Sequence, residues 1–218
     1  MNKKYLKIIT IIPLILIIIS IIYLIYYLNI IPHKKYTNAD FNIPTYISEL
    51  DKDNDGIDDQ TDIINNTRIY IATKPKYKSK YYGTGYPNDE YGVCTDVVAN
   101  SLKSSGYDLM ELVHNHIKEN RELYDIEIID KQIDFRRVKN LNIYFKHTAI
   151  SLTTDITKIE EWQGGDIIVF EKHIAIISDK RNKKGIPFII HHANPYQIHY
   201  EEDILENRTD IIAHYRIS

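Results

Sequence analysis

One cysteine stands in the 218 residues, so no intramolecular disulfide is possible and the fold has to rest on packing or on a bound metal. A formal net charge of −3, from 27 Lys and Arg against 30 Asp and Glu, lacks the basic excess of a nucleic-acid binder. Glycine is scarce as well, with 8 residues. The glycine-bearing stretch GTGYPNDEYG (83–92) lacks the strand-turn-helix setting of a phosphate cradle. No internal repeat or low-complexity segment is present, and the lone Cys94 is therefore conspicuous.

What is there begins with an apolar run, Ile8 to Ile31, that carries no charged side chain. At about 1.5 Å per residue it exceeds a hydrocarbon core of roughly 30 Å. It ends in Asn-Ile-Ile-Pro-His-Lys-Lys instead of a small-residue cleavage site. This reading predicts a short cytoplasmic tail at 1–7, an uncleaved transmembrane helix at 8–31 and a tether at 32–45. A single domain at 46–218 would then stand on the extracellular face of the cell membrane, with the membrane as partner of the N-terminal helix. Lys3, Lys4 and Lys7 before the run, against Lys34 and Lys35 after it, give a small bias toward an inside amino terminus.

Helical spacing follows in DIINNTRIYIAT (62–73), with Lys74-Pro75 as a stop, and in CTDVVANSLKSSG, where Val97, Val98 and Leu102 form one stripe. Another helix is expected over 109–119, and DFRRVKNLNIYF (134–145) reads as a short helix and then an extended piece. The last third carries β-rich runs, DIIVF (166–170), HIAIIS (173–178), FIIHHA (188–193) and DIIAHYRI (210–217). Helices followed by an antiparallel sheet make an α+β domain.

Cys94 falls at a helix start, where the helix dipole favours a thiolate, and a nearby imidazole would favour it further. His173, opening a strand, is the natural partner. Each residue taken alone is ordinary: free cysteines are commonly small buried hydrophobes, and histidines at strand starts are commonly polar surface groups.

The wording around them is more specific. Gly165-Asp166-Ile-Ile-Val-Phe, then His173-Ile-Ala-Ile-Ile-Ser, then His191-His192-Ala193 resembles the NlpC-type cell-wall peptidases, which are papain-like. GVCTDVV, GYDL, the Arg-Arg-Val of DFRRVKNL, WQGGDIIVF and AHYRIS look like an uncharacterised bacterial family, domain of unknown function 1287, from about Asp51 to the end. The resemblance implies a papain-like or NlpC-like fold, Cys94 as nucleophile, His173 as general base and His191 as the orienting third member. Neighbours in a strand point to opposite faces, so only one of His191 and His192 shares the face of His173. Asn194 is an outside candidate for the orienting role. The Cys94 N–H is one expected oxyanion donor, and a second is not identified. Arg136 and Arg137 are candidates to clamp a substrate carboxylate. Tyr82, Tyr86 and Tyr91 precede the nucleophile as wall or hydroxyl-bearing residues, Tyr86 being counted with the substrate-binding group. Asp96 is expected to stabilise the first turn of the helix.

Residues 51–62, DKDNDGIDDQTD, match calcium-loop spacing. Asp51, Asp53 and Asp55 would give side-chain oxygens, Ile57 a carbonyl, Asp59 a water-bridged ligand and Asp62 the closing carboxylate, with calcium as a structural cofactor.

The sequence thus leads to a cysteine amidase or peptidase acting on an amide bond, with cell-wall (peptidoglycan) peptide as the expected substrate. A transglutaminase-like acyltransferase would use the same pair. A zinc protein using Cys94, His173, His191 and His192, and a non-catalytic wall-binding module, are the other readings.

Overall fold

The computed structural model describes the backbone of residues 3–217 and the side chains of residues 11–217. Helix α1 (Lys3–Tyr27) is followed by α2 (Asp59–Ala72), strands β1 (Lys76–Tyr77) and β2 (Tyr91–Gly92), and helices α3 (Cys94–Ser104), α4 (Leu109–Glu119), α5 (Lys131–Asp134) and α6 (Val138–Thr148). Strands β3 (Ile150–Ser151), β4 (Ile167–Phe170), β5 (His173–Arg181), β6 (Pro187–Ile190), β7 (Glu201–Glu202) and β8 (Ile211–Arg216) complete the chain. They form one antiparallel sheet in the order β3-β8-β4-β5-β6-β7. The short β1 and β2 pair in parallel.

Strands β4, β5 and β6 are buried on both faces, which is why their sequences are continuous apolar runs without alternation. Ile167, Val169, Ile174, Ile176 and Ile190 pack against Ile63, Val97, Val98, Leu102, Val113 and Leu141 of the helices. Ile168, Phe170, Ala175, Ile177 and Ile189 face the other way, onto Trp162, Ile186 and Leu205. The segment 134–145, expected to end extended, is instead α5 and α6, because Leu141 and Phe145 supply a helical stripe to the first core.

Asp166, fully buried, knots the sheet end: it receives two hydrogen bonds of 2.7 Å from Arg216, pairs with His214 at 2.9 Å, and accepts from Gln60 Nε2 at 2.8 Å and from Gln163 N–H at 2.8 Å. Trp162 stacks on His214, with ring centroids 3.9 Å apart.

The amino-terminal expectations are corrected. No helix among the described residues is long and apolar enough to cross a membrane, which overturns the transmembrane anchor at 8–31 and the placement at the cell membrane that followed from it. Helix α1 stops at Tyr27, before the end of the apolar run. The chain then turns through Asn29, whose φ is 54° and whose side chain is buried. Asn29 Oδ1 accepts the Asp203 N–H at 3.2 Å, His33 Nδ1 lies 2.7 Å from Asp203 Oδ2, and the His33 ring stacks on Tyr26. The end of the run is therefore spent on docking to the sheet domain. The expected tail at 1–7 lies outside the residues with described side chains.

Residues 36–45 are part of the domain instead of a tether. Tyr36 exchanges two 2.9 Å backbone hydrogen bonds with Arg181, and Arg181 Nε donates to Asn38 Oδ1 at 2.6 Å. Ile43 is buried.

Candidate active site

Cys94 is the first residue of α3, and the turn that presents it is fixed from below. Asp96, fully buried, accepts the Val93 N–H at 2.9 Å. The same carboxylate takes Nε and Nη2 of Arg136 at 2.7 and 2.8 Å. Arg136 Nη1 reaches across to the Lys80 carbonyl at 2.8 Å, tying the loop after β1 to the nucleophile turn. This corrects the substrate-clamp expectation for Arg136, because its fork is already filled by Asp96. Arg137 is exposed, 3.9 Å from Asp134. Tyr86 donates to Asp108 at 2.8 Å and packs on Phe135, so it is a wall residue of the fold, and its hydroxyl is occupied. Tyr82 likewise donates to Asp89.

Backbone N–H groups of Ile174 and of the start of its own helix lie near the Cys94 sulfur and favour a thiolate, while burial opposes it more strongly. The N–H of Ile174 belongs to the peptide bond joining it to His173, so the thiol lies against the opening of β5. His173 Nε2 is 2.9 Å from His191 Nδ1, and His191 Nε2 is 2.9 Å from Glu202 Oε2. Strand alternation puts His173 and His191 on the sheet face of Ala175, Ile177 and Ile189, and turns His192 to the helix face. Glu202 was not singled out from sequence. It sits on β7, and its only local signal is a doubled glutamate; the Ile190–Glu201 pairing that brings it beside His191 is a strand register that the sequence does not display.

Burial holds these groups neutral. It raises Cys94 to about 11, and it lowers His173 to about 3, His191 to about 3 and His192 to about 4. It raises Glu202 to about 7. The dipole effect expected at the helix start is thus outweighed by desolvation, and the resting cleft contains a thiol beside neutral imidazoles. Thiol attack then requires a base that takes the proton as the sulfur–carbon bond forms, in place of a standing ion pair.

In the acidic loop, side-chain oxygens of Asp51, Asp53 and Asp55 lie within 4.8 Å of one another. They are knitted by the loop's own N–H groups: Gly56 donates to Asp51 at 2.9 Å and Ile57 to Asp55 at 2.8 Å. A φ of +91° at Gly56 makes the turn that this position requires. Asp59 and Asp62 do not join them. Asp59 is buried and accepts from Lys52 N–H and the Tyr107 hydroxyl, while Asp62 accepts from Asn66 in the first turns of α2. Among the described residues these three aspartates are the one cluster close enough for a metal, so Cys94, His173, His191 and His192 form no zinc site.

The model of the family described as Domain of unknown function (DUF1287) matches residues 64–217, beginning after the acidic loop. Uncharacterized protein YijF of Escherichia coli (strain K12) is 33% identical over 167 residues, which cover 71% of this chain and 80% of that protein. No solved structure matches. With a family model covering most of the chain, from the middle of α2 through β8, this protein belongs to the DUF1287 family.

Proposed function

We propose that the domain is a cysteine hydrolase that transfers an acyl group from an amide bond to Cys94 and then to water. The observation that carries the proposal is Cys94 at the first position of α3, near the Ile174 N–H at the opening of β5, the strand whose first residue begins the His173–His191–Glu202 hydrogen-bond chain. In this reading the sulfur attacks the carbonyl carbon, and an imidazole beside the opening of β5 takes the thiol proton. The carbonyl π bond becomes an oxyanion facing the Cys94 N–H. Collapse breaks the C–N bond, and the amine leaves with the proton returned by the imidazolium. Water then cleaves the thioester.

His191 fixes the ring of His173, and Glu202 compensates the positive charge that develops on the imidazoles. The resemblance to NlpC-type peptidases points to cell-wall peptide as substrate. Incubating the chain with purified peptidoglycan and quantifying new free amino groups tests this. Release that Cys94→Ala abolishes supports the proposal, and release equal in the two proteins contradicts it. A product in which the acyl group has moved to an added amine would favour the acyltransferase reading. A structural calcium on Asp51, Asp53 and Asp55 belongs to the same proposal; it predicts a rise in Tm with added calcium that Asp53→Asn removes.

A further inference from the structure

His192 is 3% exposed, and its Nδ1 is buried without a hydrogen-bond partner. An unpartnered buried nitrogen is destabilising inside a protein, so its position needs a reason. Continuing the β5–β6 register, in which Ile176 faces Ile190, sets His192 opposite Ile174, whose N–H lies near the Cys94 sulfur. From the other side the ring meets Tyr77, with centroids 5.2 Å apart, and Tyr77 is paired with Gly92, two residues before Cys94. Tyr200 closes the third side at 5.1 Å. His192 therefore occupies the helix face of the sheet at the nucleophile turn, on the opposite face from His173.

The thiol has a complementary deficiency. The backbone groups near its sulfur, at Ile174, Thr95 and Cys94, offer it N–H donors. None of them accepts the thiol's own proton. We infer that His192 is a second imidazole of the active site, whose unpartnered Nδ1 accepts the Cys94 proton as the sulfur attacks. Asp96 is the charge facing it from α3, and this carboxylate favours the imidazolium that proton transfer creates. Its other titratable neighbours are His191 on its own strand, Tyr77 and Tyr200, with Tyr70 of α2 also in the field of Asp96 and Tyr200. His192 receives the thiol proton from the helix side and returns it to the leaving group, while the His173–His191–Glu202 chain lies on the opposite face of the sheet.

The inference rests on Cys94 as nucleophile, and the experiment separates the two. p-Nitrophenyl acetate serves as a generic acyl donor: the acetyl carbon bonds to sulfur, the ester C–O bond breaks, and p-nitrophenolate leaves. Acylation is followed from pH 5 to 9 in wild type, His192→Gln, His173→Ala and Cys94→Ala. His192→Gln is expected to acylate at least tenfold more slowly with an altered pH profile, and added imidazole is expected to restore the rate in His192→Gly. A His192→Gln profile that superimposes on wild type overturns the inference while leaving the nucleophile reading standing. Wild type no faster than Cys94→Ala overturns the nucleophile reading instead.

A second measurement needs no variant. In 15N-histidine-labelled wild type, blocking the thiol by methylthiolation is expected to shift the His192 Nδ1 resonance. An unmoved resonance refutes the inference.

Discussion

Replacing Asp96 by alanine tests the construction of the nucleophile turn. The substitution removes both partners of the Arg136 fork and the acceptor of the Val93 N–H, at a position with no solvent access. Breaking a buried ion pair from one side leaves an uncompensated guanidinium and costs about 3–5 kcal/mol. For a chain of this size that corresponds to roughly 6–20 °C in Tm. Differential scanning calorimetry reads the shift, and urea unfolding with an unchanged m-value confirms that stability alone has moved. Adding Arg136→Met to Asp96→Ala is expected to recover part of the loss, since the stranded charge goes and only the Val93 N–H stays unpaired. A loss under about 1 kcal/mol in Asp96→Ala, or a double variant less stable than the single, would refute the reasoning.

Other consequences are equally open to measurement. His173, His191 and His192 are held neutral well below the ordinary histidine value of 6.5. The unfolded chain therefore binds more protons as pH falls through that value, and stability should fall from pH 6.5 toward 4. Glu202 acts with the opposite sign, because it is raised to about 7: its contribution is present below 4.5 and is lost as pH rises through 7. Glu202→Gln should remove that loss, which pH-resolved urea denaturation detects. Gly165→Ala places a Cβ 2.5 Å from the Gln60 carbonyl at a φ of +94°, and a loss of about 2 kcal/mol or more is expected in the same assay. Trp162, the single tryptophan, is fully buried, so its emission should be blue-shifted in the native protein and move to the red in one step with unfolding. Biphasic emission would argue against one cooperative core.

The elements most legible in the sequence were those whose pattern is local. The helix stripe at Val97, Val98 and Leu102 and the apolar strands of the last third are formed by near neighbours, and periodicity reports them. Family membership was legible because Asp166, Arg216, Trp162 and Cys94 sit in distinctive short strings. Several of these residues prove to serve the framework, with Asp166 and Arg216 locking the sheet end. Alternation allowed only one of His191 and His192 to share the face of His173, the resemblance pointed to His191, and His191 is the one that meets it.

What stayed hidden depends on strand register, on contacts between separate elements, or on burial. Glu202 reaches His191 only through β7 docking on β6, and Arg136 meets Asp96 across forty residues. The apolar run at the amino terminus misled for a related reason, since its C-terminal residues find partners at Asp203, which hydropathy does not register. The thiol's direction of shift was misread from the helix dipole, because the stronger effect, desolvation under β5, requires the folded sheet.

The central claim is that Cys94 carries the acyl group, and mass spectrometry of the protein quenched within seconds of mixing with p-nitrophenyl acetate tests it most directly. The account predicts a single acetyl group, mapped by peptide digestion to Cys94, absent from Cys94→Ala and decaying as thioester hydrolysis proceeds. Acetylation confined to lysines and tyrosines, unchanged by Cys94→Ala, would contradict it.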